Sequence, residues 1–189
     1  MTEKNTNNDN LRHWEQQAAA PGRSATRRPP HELGDIGMHI ARDGRWFYLG
    51  SPIERESLVR LFASVLNRDD KGSYWLTTPA EKGLVTVEDV PFLAVDLTAT
   101  GEGRGQSLIF RTNIGDTVTA DADHPLRTVT DPASGGPIPY ILVRGGLEAR
   151  LTRPVFYQLV DLGREEPQDE KVRFGVWSKH CFFPLGDLT

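Results

Sequence analysis

The sequence predicts an α+β protein of two small, related domains. Each is a unit of two strands, a helix and two strands, and the second is the more β-rich. Three observations predict it. Short runs alternate apolar and polar residues, as half-buried strands require, and they flank two longer runs with apolar residues three and four apart, as helices require. Glycine-bearing tight turns separate the runs. A displacement of 102 positions (154 minus 52) then superposes Arg42, Gly44, Leu49, Pro52 and Trp75 on Arg144, Gly146, Leu151, Pro154 and Trp177. Composition alone supplies roughly two such identities over a comparable stretch. These five fall at the turn, the helix start and the strand after the helix, where geometry dictates residue type most strongly, so an internal duplication is the simplest reading.

Met1 to Asn10 is rich in Asn and lacks apolar periodicity, which predicts a mobile tail. Leu11, Trp14 and Ala18 stand at i, i+3 and i+7, so Asn10 to Ala20 can form a short helix that stops before Pro21-Gly22. Arg23 to Pro30 reads as a basic, extended linker, and residues 1–33 together form the N-terminal tail.

The N-terminal α+β domain is placed at residues 34–91. Met38 to Ala41 and Trp46 to Leu49 read as strands joined at Asp43-Gly44, a dipeptide suited to positive φ. Ser51 and Glu54 have the spacing of a capping box with Pro52 at the first helical position, and Leu58, Leu61, Phe62, Val65 and Leu66 form the stripe that lies on the sheet. Tyr74 to Thr77 and Leu84 to Val87 read as strands around a turn from Pro79 to Gly83.

The C-terminal β-rich domain with one helix is placed at residues 92–189. Phe92 to Thr100 and Ser107 to Thr112 read as strands about a glycine-rich loop, Val118 to Ala120 as a short third, and Asp121 to Pro139 as a surface excursion too rich in Pro, Gly and Asp for a regular element. Ile138 to Val143 and Leu147 to Leu151 make a hairpin about Gly145-Gly146. Val155, Phe156, Leu159 and Val160 give the second helix its inner face; Arg153 replaces the capping serine of the first copy, so Thr152 is left to cap. Glu165 to Glu170 reads as an acidic loop, and Val172 to Ser178 and Phe182 to Leu185 as closing strands.

Composition narrows the function. Of 189 residues, 38% are hydrophobic and 25% charged, and no run of about 18 apolar residues could span a bilayer. The first thirty residues are polar, unlike a secretory leader, and the single thiol, Cys181, permits no intramolecular disulfide, so the expected location is cytoplasmic. A formal net charge of -4 argues against nucleic acid and anionic lipid as partners.

No chemical motif is complete. Gly101-Glu102-Gly103-Arg104-Gly105 is followed by Gln106 and joins two strands, so it reads as a hairpin turn rather than a dinucleotide fingerprint. His180 and Cys181 are neighbours on a strand and point to opposite faces, unable to share a proton. His13, His31, His39 and His124 have no metal-ligand spacing, and Glu81, Glu88 and Asp89 read as solvated acids at a turn and a strand end; no cofactor and no catalytic residue is predicted. The repeated residues remain. If the two copies pack about an approximate twofold axis, Arg42, Arg144, Trp75 and Trp177 converge near a cleft, with Lys82 and Arg111 at strand ends beside it. Guanidinium forks suit phosphate and an indole face suits a base. The bland alternative makes the tryptophans core and the arginines solvated.

Particular runs carry a family resemblance: Ala41-Arg42-Asp43-Gly44-Arg45-Trp46-Phe47-Tyr48, Thr78-Pro79-Ala80-Glu81-Lys82, Val87-Glu88-Asp89, Phe110-Arg111-Thr112-Asn113, His124-Pro125-Leu126-Arg127 and Gly175-Val176-Trp177-Ser178. From about Gly34 to Gly186 the chain resembles the bacterial family known as domain of unknown function 1285. The resemblance implies a core built by duplication and a second domain loosely similar to pleckstrin-homology folds. It also implies a pocket between the domains suited to a nucleotide-like molecule, and a role in signalling. It implies no catalytic residues. The expected function is therefore a regulatory module holding a small anionic, nucleotide-like ligand at the interdomain interface through Arg42, Trp75, Lys82, Arg111, Arg144 and Trp177. The alternatives are a module for a protein partner and a hydrolytic enzyme with an unrecognised site.

Overall fold

The structure, a computed structural model, describes residues 3–20, 29–168 and 171–187, with side chains described for 9–20, 29–167 and 172–186. It is α+β, mostly sheet with three helices among the described residues, and divides into two units, Met1–Asp89 and Val90–Thr189.

In the first unit the order is α1 (Glu3–Ala19), β1 (His31–Ile40), β2 (Trp46–Tyr48), β3 (Ser51–Pro52), α2 (Glu56–Ser64), β4 (Leu66–Arg68), β5 (Tyr74–Thr77) and β6 (Glu81–Val87). The strands form one sheet in the order β3-β2-β1-β6-β5-β4, antiparallel except where β1 and β6 run side by side in parallel. Alternation sends Met38, Ile40, Trp46 and Tyr48 to one face, where all are buried. Leu58 and Phe62, one helical turn apart on α2, are buried as well. Phe62 is fully enclosed, so truncating it to Ala would cost about 3–5 kcal/mol.

The second unit runs β7 (Phe92–Thr100), a 3-10 turn (Gly103–Gly105), β8 (Ser107–Thr112), β9 (Thr117–Thr119), β10 (Leu126–Thr130), β11 (Pro137–Arg144), β12 (Leu147–Leu151), α3 (Arg153–Asp161), β13 (Arg164–Gln168), β14 (Lys171–Ser178) and β15 (Cys181–Asp187). Its first six strands form a sheet in the order β10-β11-β12-β7-β8-β9, and β13-β14-β15 form an antiparallel meander. The two sheets are joined through Ser178, fully buried, whose hydroxyl donates to the Ala120 carbonyl at 2.6 Å and accepts from the Leu108 amide at 3.0 Å. Phe92, Phe110, Ile141, Leu159 and Val176 fill the core.

Several expectations are corrected. The capping box at Ser51 does not form: Ser51 and Pro52 pair with Tyr48 and Phe47 as β3, and α2 begins at Glu56 with Arg55 in the capping position and no side-chain cap. The turn at Leu49-Gly50 folds the chain back, and the Ile53 amide donates to the Trp46 carbonyl at 2.8 Å, so hairpin pairing outcompetes a helix start. Pro52 sits on an edge strand, where its missing N–H costs nothing. Pro52 and Pro154 are consequently not equivalent, since Pro154 lies in the first turn of α3. Thr152 stands in the capping position there and makes no side-chain cap bond.

Of the expected N-terminal tail, residues 1–2 lie outside the described residues, and Glu3 to Asn10 are helical, because α1 extends from Glu3 through Ala19 as one helix; propagation from a docked segment is easier than nucleation. Of the basic linker, residues 23–28 lie outside the described residues. The surface excursion contains β10 and the start of β11, and the acidic loop contains β13. β11 begins one residue before the expected Ile138 and carries Pro137 and Pro139. Leu142 points its amide towards β10, to the Pro125 carbonyl, so by alternation Pro137 and Pro139 point their nitrogens the other way, clear of the pairing. In β13 the acidic run is stabilised across the ladder, with Glu166 opposite Arg173. No helix among the described residues is long and apolar enough to cross a membrane.

Candidate functional site

The β1–β2 hairpin builds an open polar recess in the first unit. Its register sets His39 opposite Phe47, and because the neighbouring pairs Met38–Tyr48 and Ile40–Trp46 are buried, this pair stands on the other face of the sheet. The two ring centroids are 5.8 Å apart and tilted by 32°. The hairpin turns through Ala41 to Arg45, closed by the Ala41 amide on the Arg45 carbonyl at 2.9 Å, with Gly44 at positive φ. Asp43 is fixed in that turn. It accepts from the Arg45 amide at 3.1 Å and from Arg45 Nε at 2.7 Å. The Arg45 backbone N–H, reinforced by the guanidinium and outweighing desolvation, holds the Asp43 carboxyl below the usual carboxylate range. The same guanidinium lies 5.4 Å from the Phe47 ring centre.

Glu88, just beyond β6, closes the other wall. Its amide donates to the Ile40 carbonyl at 3.0 Å, continuing the parallel ladder by one residue, and this aims its carboxylate into the turn. There Oε2 accepts from the Arg42 amide at 2.7 Å, and Oε1 stands 3.0 Å from His39 Nε2, close enough for ionic attraction but off the line of a hydrogen bond. The result is an open recess of about 500 Å³ lined by His39, Ala41, Arg42, Asp43, Arg45, Phe47, Gly50 and Glu88. It contains an aromatic ring, two guanidinium groups and an imidazole; the Asp43 carboxylate is engaged by the Arg45 guanidinium, which lies over Phe47, and the Glu88 carboxylate by the Arg42 amide. That chemistry suits a planar ring carrying an anionic group. Among the described residues no three His, Cys, Asp or Glu side chains converge as a metal site needs.

Of the six residues expected to bind, Arg42, Trp75 and Lys82 belong to the first unit and Arg111, Arg144 and Trp177 to the second. Arg42 lines the recess. Lys82 and Trp75 adjoin each other, the ammonium 4.4 Å from the ring centre, with Lys82 also 2.8 Å from Glu32 and the Trp75 indole donating to Asp69 Oδ2 at 2.9 Å. Lys82 sits at the far end of the sheet from Arg42: it pairs with Glu32 and Val87 with Ile40, five strand residues or about 17 Å apart, while Trp75, opposite Leu84, stands three residues or about 10 Å from Val87 along the strands and one strand further across. Arg111 faces Asp96 at 3.4 Å, and Arg144 lies 3.8 Å from Asp116 and over the Phe92 ring. Trp177 donates to Glu166 at 2.8 Å under the Arg104 guanidinium. His39, Arg45, Phe47 and Glu88, which line the recess with Arg42, are not among the six residues expected from the sequence. The Asp43-Gly44 turn carried the needed signal, because fixing that hairpin fixes His39 opposite Phe47.

Comparison with known proteins gives a consistent picture. Residues 26–90 match the model described as "Domain of unknown function (DUF1285), N-terminal domain", and residues 91–185 match "Protein of unknown function (DUF1285), C-terminal domain". The crystal structure of a DUF1285 family protein from Silicibacter pomeroyi DSS-3 is similar with a TM-score of 0.83 at 45% identity, covering 94% of this chain and 95% of that one. One from Shewanella baltica OS155 is similar with a TM-score of 0.54 at 30% identity, covering 67% of this chain and 91% of that one. No curated protein matches.

Proposed function

The chain belongs to the DUF1285 family, and from that premise and the recess on its first unit we propose that it is a regulatory module binding a small anionic, nucleotide-like ligand. A single observation carries the reading: one recess sets an aromatic face, Phe47, beside the guanidinium-bearing residues Arg42 and Arg45. A ring stacks on the first while an anion meets the second, and neither requires a nucleophile or a poised acid.

Titration calorimetry with nucleoside mono- and diphosphates tests it, with inorganic phosphate and adenosine as partial ligands. We expect a nucleotide to bind more tightly than either fragment. Arg42→Ala should weaken it at least tenfold, about 1.4 kcal/mol, and Phe47→Leu should weaken adenosine more than phosphate. Heats of zero across the panel, or full binding by Arg42→Ala, sink the proposal.

We further propose that the two units descend from one motif, the second having drifted towards a pleckstrin-homology-like arrangement. Hairpin, nine-residue helix and three-stranded meander follow in that order in each unit. Trp75 and Trp177 both lie on the middle meander strand, donate their indole N–H to a carboxylate and sit under a cation. The single thiol at Cys181 and the absence of any disulfide agree with a cytoplasmic location.

A further inference from the structure

On the second unit α3 buries Val155 and Leu159 in the core and leaves its outer face bare. Along that face Arg153, Tyr157 and Asp161 stand at i, i+4 and i+8, all exposed, a row of the kind by which helices pack against one another. Tyr157, 63% exposed, is the most exposed large hydrophobic side chain described. Phe156, half-buried, sets its ring centroid 6.3 Å from that of Tyr157, and half-buried Val160 continues the apolar margin along the helix. Just before the helix the Thr152 amide donates to the Ala94 carbonyl at 3.0 Å, which brings exposed Val95 of β7 beside the start of α3. A central aromatic ringed by apolar and charged side chains is the usual layout of a contact patch.

The two charges stand at the wrong ends of their own helix. Arg153 is its first residue and Asp161 its last, whereas the peptide dipole favours an acid at the start and a base at the end, and neither end carries one. Arg153 and Asp161 make no ion pair among the described residues. An antiparallel copy of α3 answers both charges. Tyr157 lies midway, four residues from each, so a twofold axis through it brings Arg153 of either copy to Asp161 of the other and sets each charge beside the complementary end of the facing helix.

We propose that α3 is the contact of a symmetric homodimer in which two copies of the helix pack antiparallel, Tyr157 against Tyr157 on the axis and Arg153 paired with Asp161 on either side. Nine residues rise only about 14 Å, so the interface is small and belongs to the transient class, forming as concentration rises. The inference does not rest on the anion-binding reading, because no residue of α3 lines the recess.

Sedimentation equilibrium of the full-length chain tests it, and we expect a monomer–dimer constant on the order of 100 μM. Arg153→Asp and Asp161→Arg each set like charges face to face twice, and each should weaken association by about tenfold or more. Both suit the helix dipole better than the residue they replace, so neither should lower the unfolding midpoint. An equimolar mixture of the two single variants restores both opposite-charge contacts and should associate within about threefold of the wild type, as should the double variant alone. Tyr157→Ser should weaken every one of these dimers. A wild-type chain that stays monomeric up to about 1 mM overturns the proposal. So do single variants that dimerise like the wild type, or a mixture of them that stays monomeric.

Discussion

Leu49 and Gly50 form the two-residue loop between Tyr48 and Ser51, and both have positive φ, 47° and 80°. Such loops favour Asn-Gly, because a branched side chain at positive φ crowds the backbone at a cost of about 1 kcal/mol. Leu49 gains little in return: it is 46% exposed, and its contact is with the backbone of Gly37, to whose carbonyl its amide donates at 2.8 Å. Leu49→Asn should therefore stabilise the first unit by about 0.5–1 kcal/mol in urea unfolding. Destabilisation would mean that packing over Gly37 outweighs the strain. Asp69 yields a second prediction at this scale. The Trp75 indole first, then the Ser73 and Lys71 amides and the Lys71 charge, hold its carboxyl below the usual range against weak desolvation. A depressed folded pKa means that the contribution is complete above the unfolded value, near 4, and lost as pH falls through the folded one. Asp69→Asn should flatten the fall in urea midpoint as pH drops below about 4. An unchanged slope would assign acid sensitivity elsewhere.

Elements were legible where their signal was local. Tyr74–Thr77, Phe92–Thr100, Ser107–Thr112 and Leu147–Leu151 read directly as strands because alternation and turn residues agreed. The start of α2 misled, since Ser51 and Glu54 satisfied a capping pattern while a turn upstream had already committed the chain to β3. β13 and the start of β11 were hidden for a different reason: their prolines and acids are acceptable only because of what pairs across the ladder, which one segment cannot reveal. Long-range joints are the extreme case. Ser178 reads as an ordinary strand residue, yet its hydroxyl serves two buried backbone groups 58 and 70 positions away. Ser178→Ala leaves both unsatisfied and should destabilise the chain by about 2–4 kcal/mol in guanidinium unfolding. A loss below 1 kcal/mol would show that the meander holds to the larger sheet without this hydroxyl.

At the scale of the whole molecule, the boundary near residue 90 was read from the completion of one unit of two strands, a helix and two strands, whereas the recess did not follow from the repeat. Arg42, Trp75, Arg144 and Trp177 were chosen by displacement along the chain and Lys82 and Arg111 by their place at strand ends, and of the six only Arg42 lines the recess; register, not repetition, assembles the rest of it from β1, β2 and the end of β6. This gives the ligand reading a footprint. Calorimetry detects binding anywhere, but amide exchange locates it, and a ligand seated against Arg42, Phe47 and Glu88 should protect residues 39–47 and 87–89. Lys82 lies five residues, about 17 Å, along β6 from the Val87–Ile40 pair that ends beside Arg42. Arg144→Ala should leave affinity within twofold, its lost contacts to Asp116 and Phe92 appearing as a modest stability change of up to about 1 kcal/mol. If Arg144→Ala abolished nucleotide binding at an unchanged unfolding midpoint, the recess would be the wrong site and the repeated arginines the right ones.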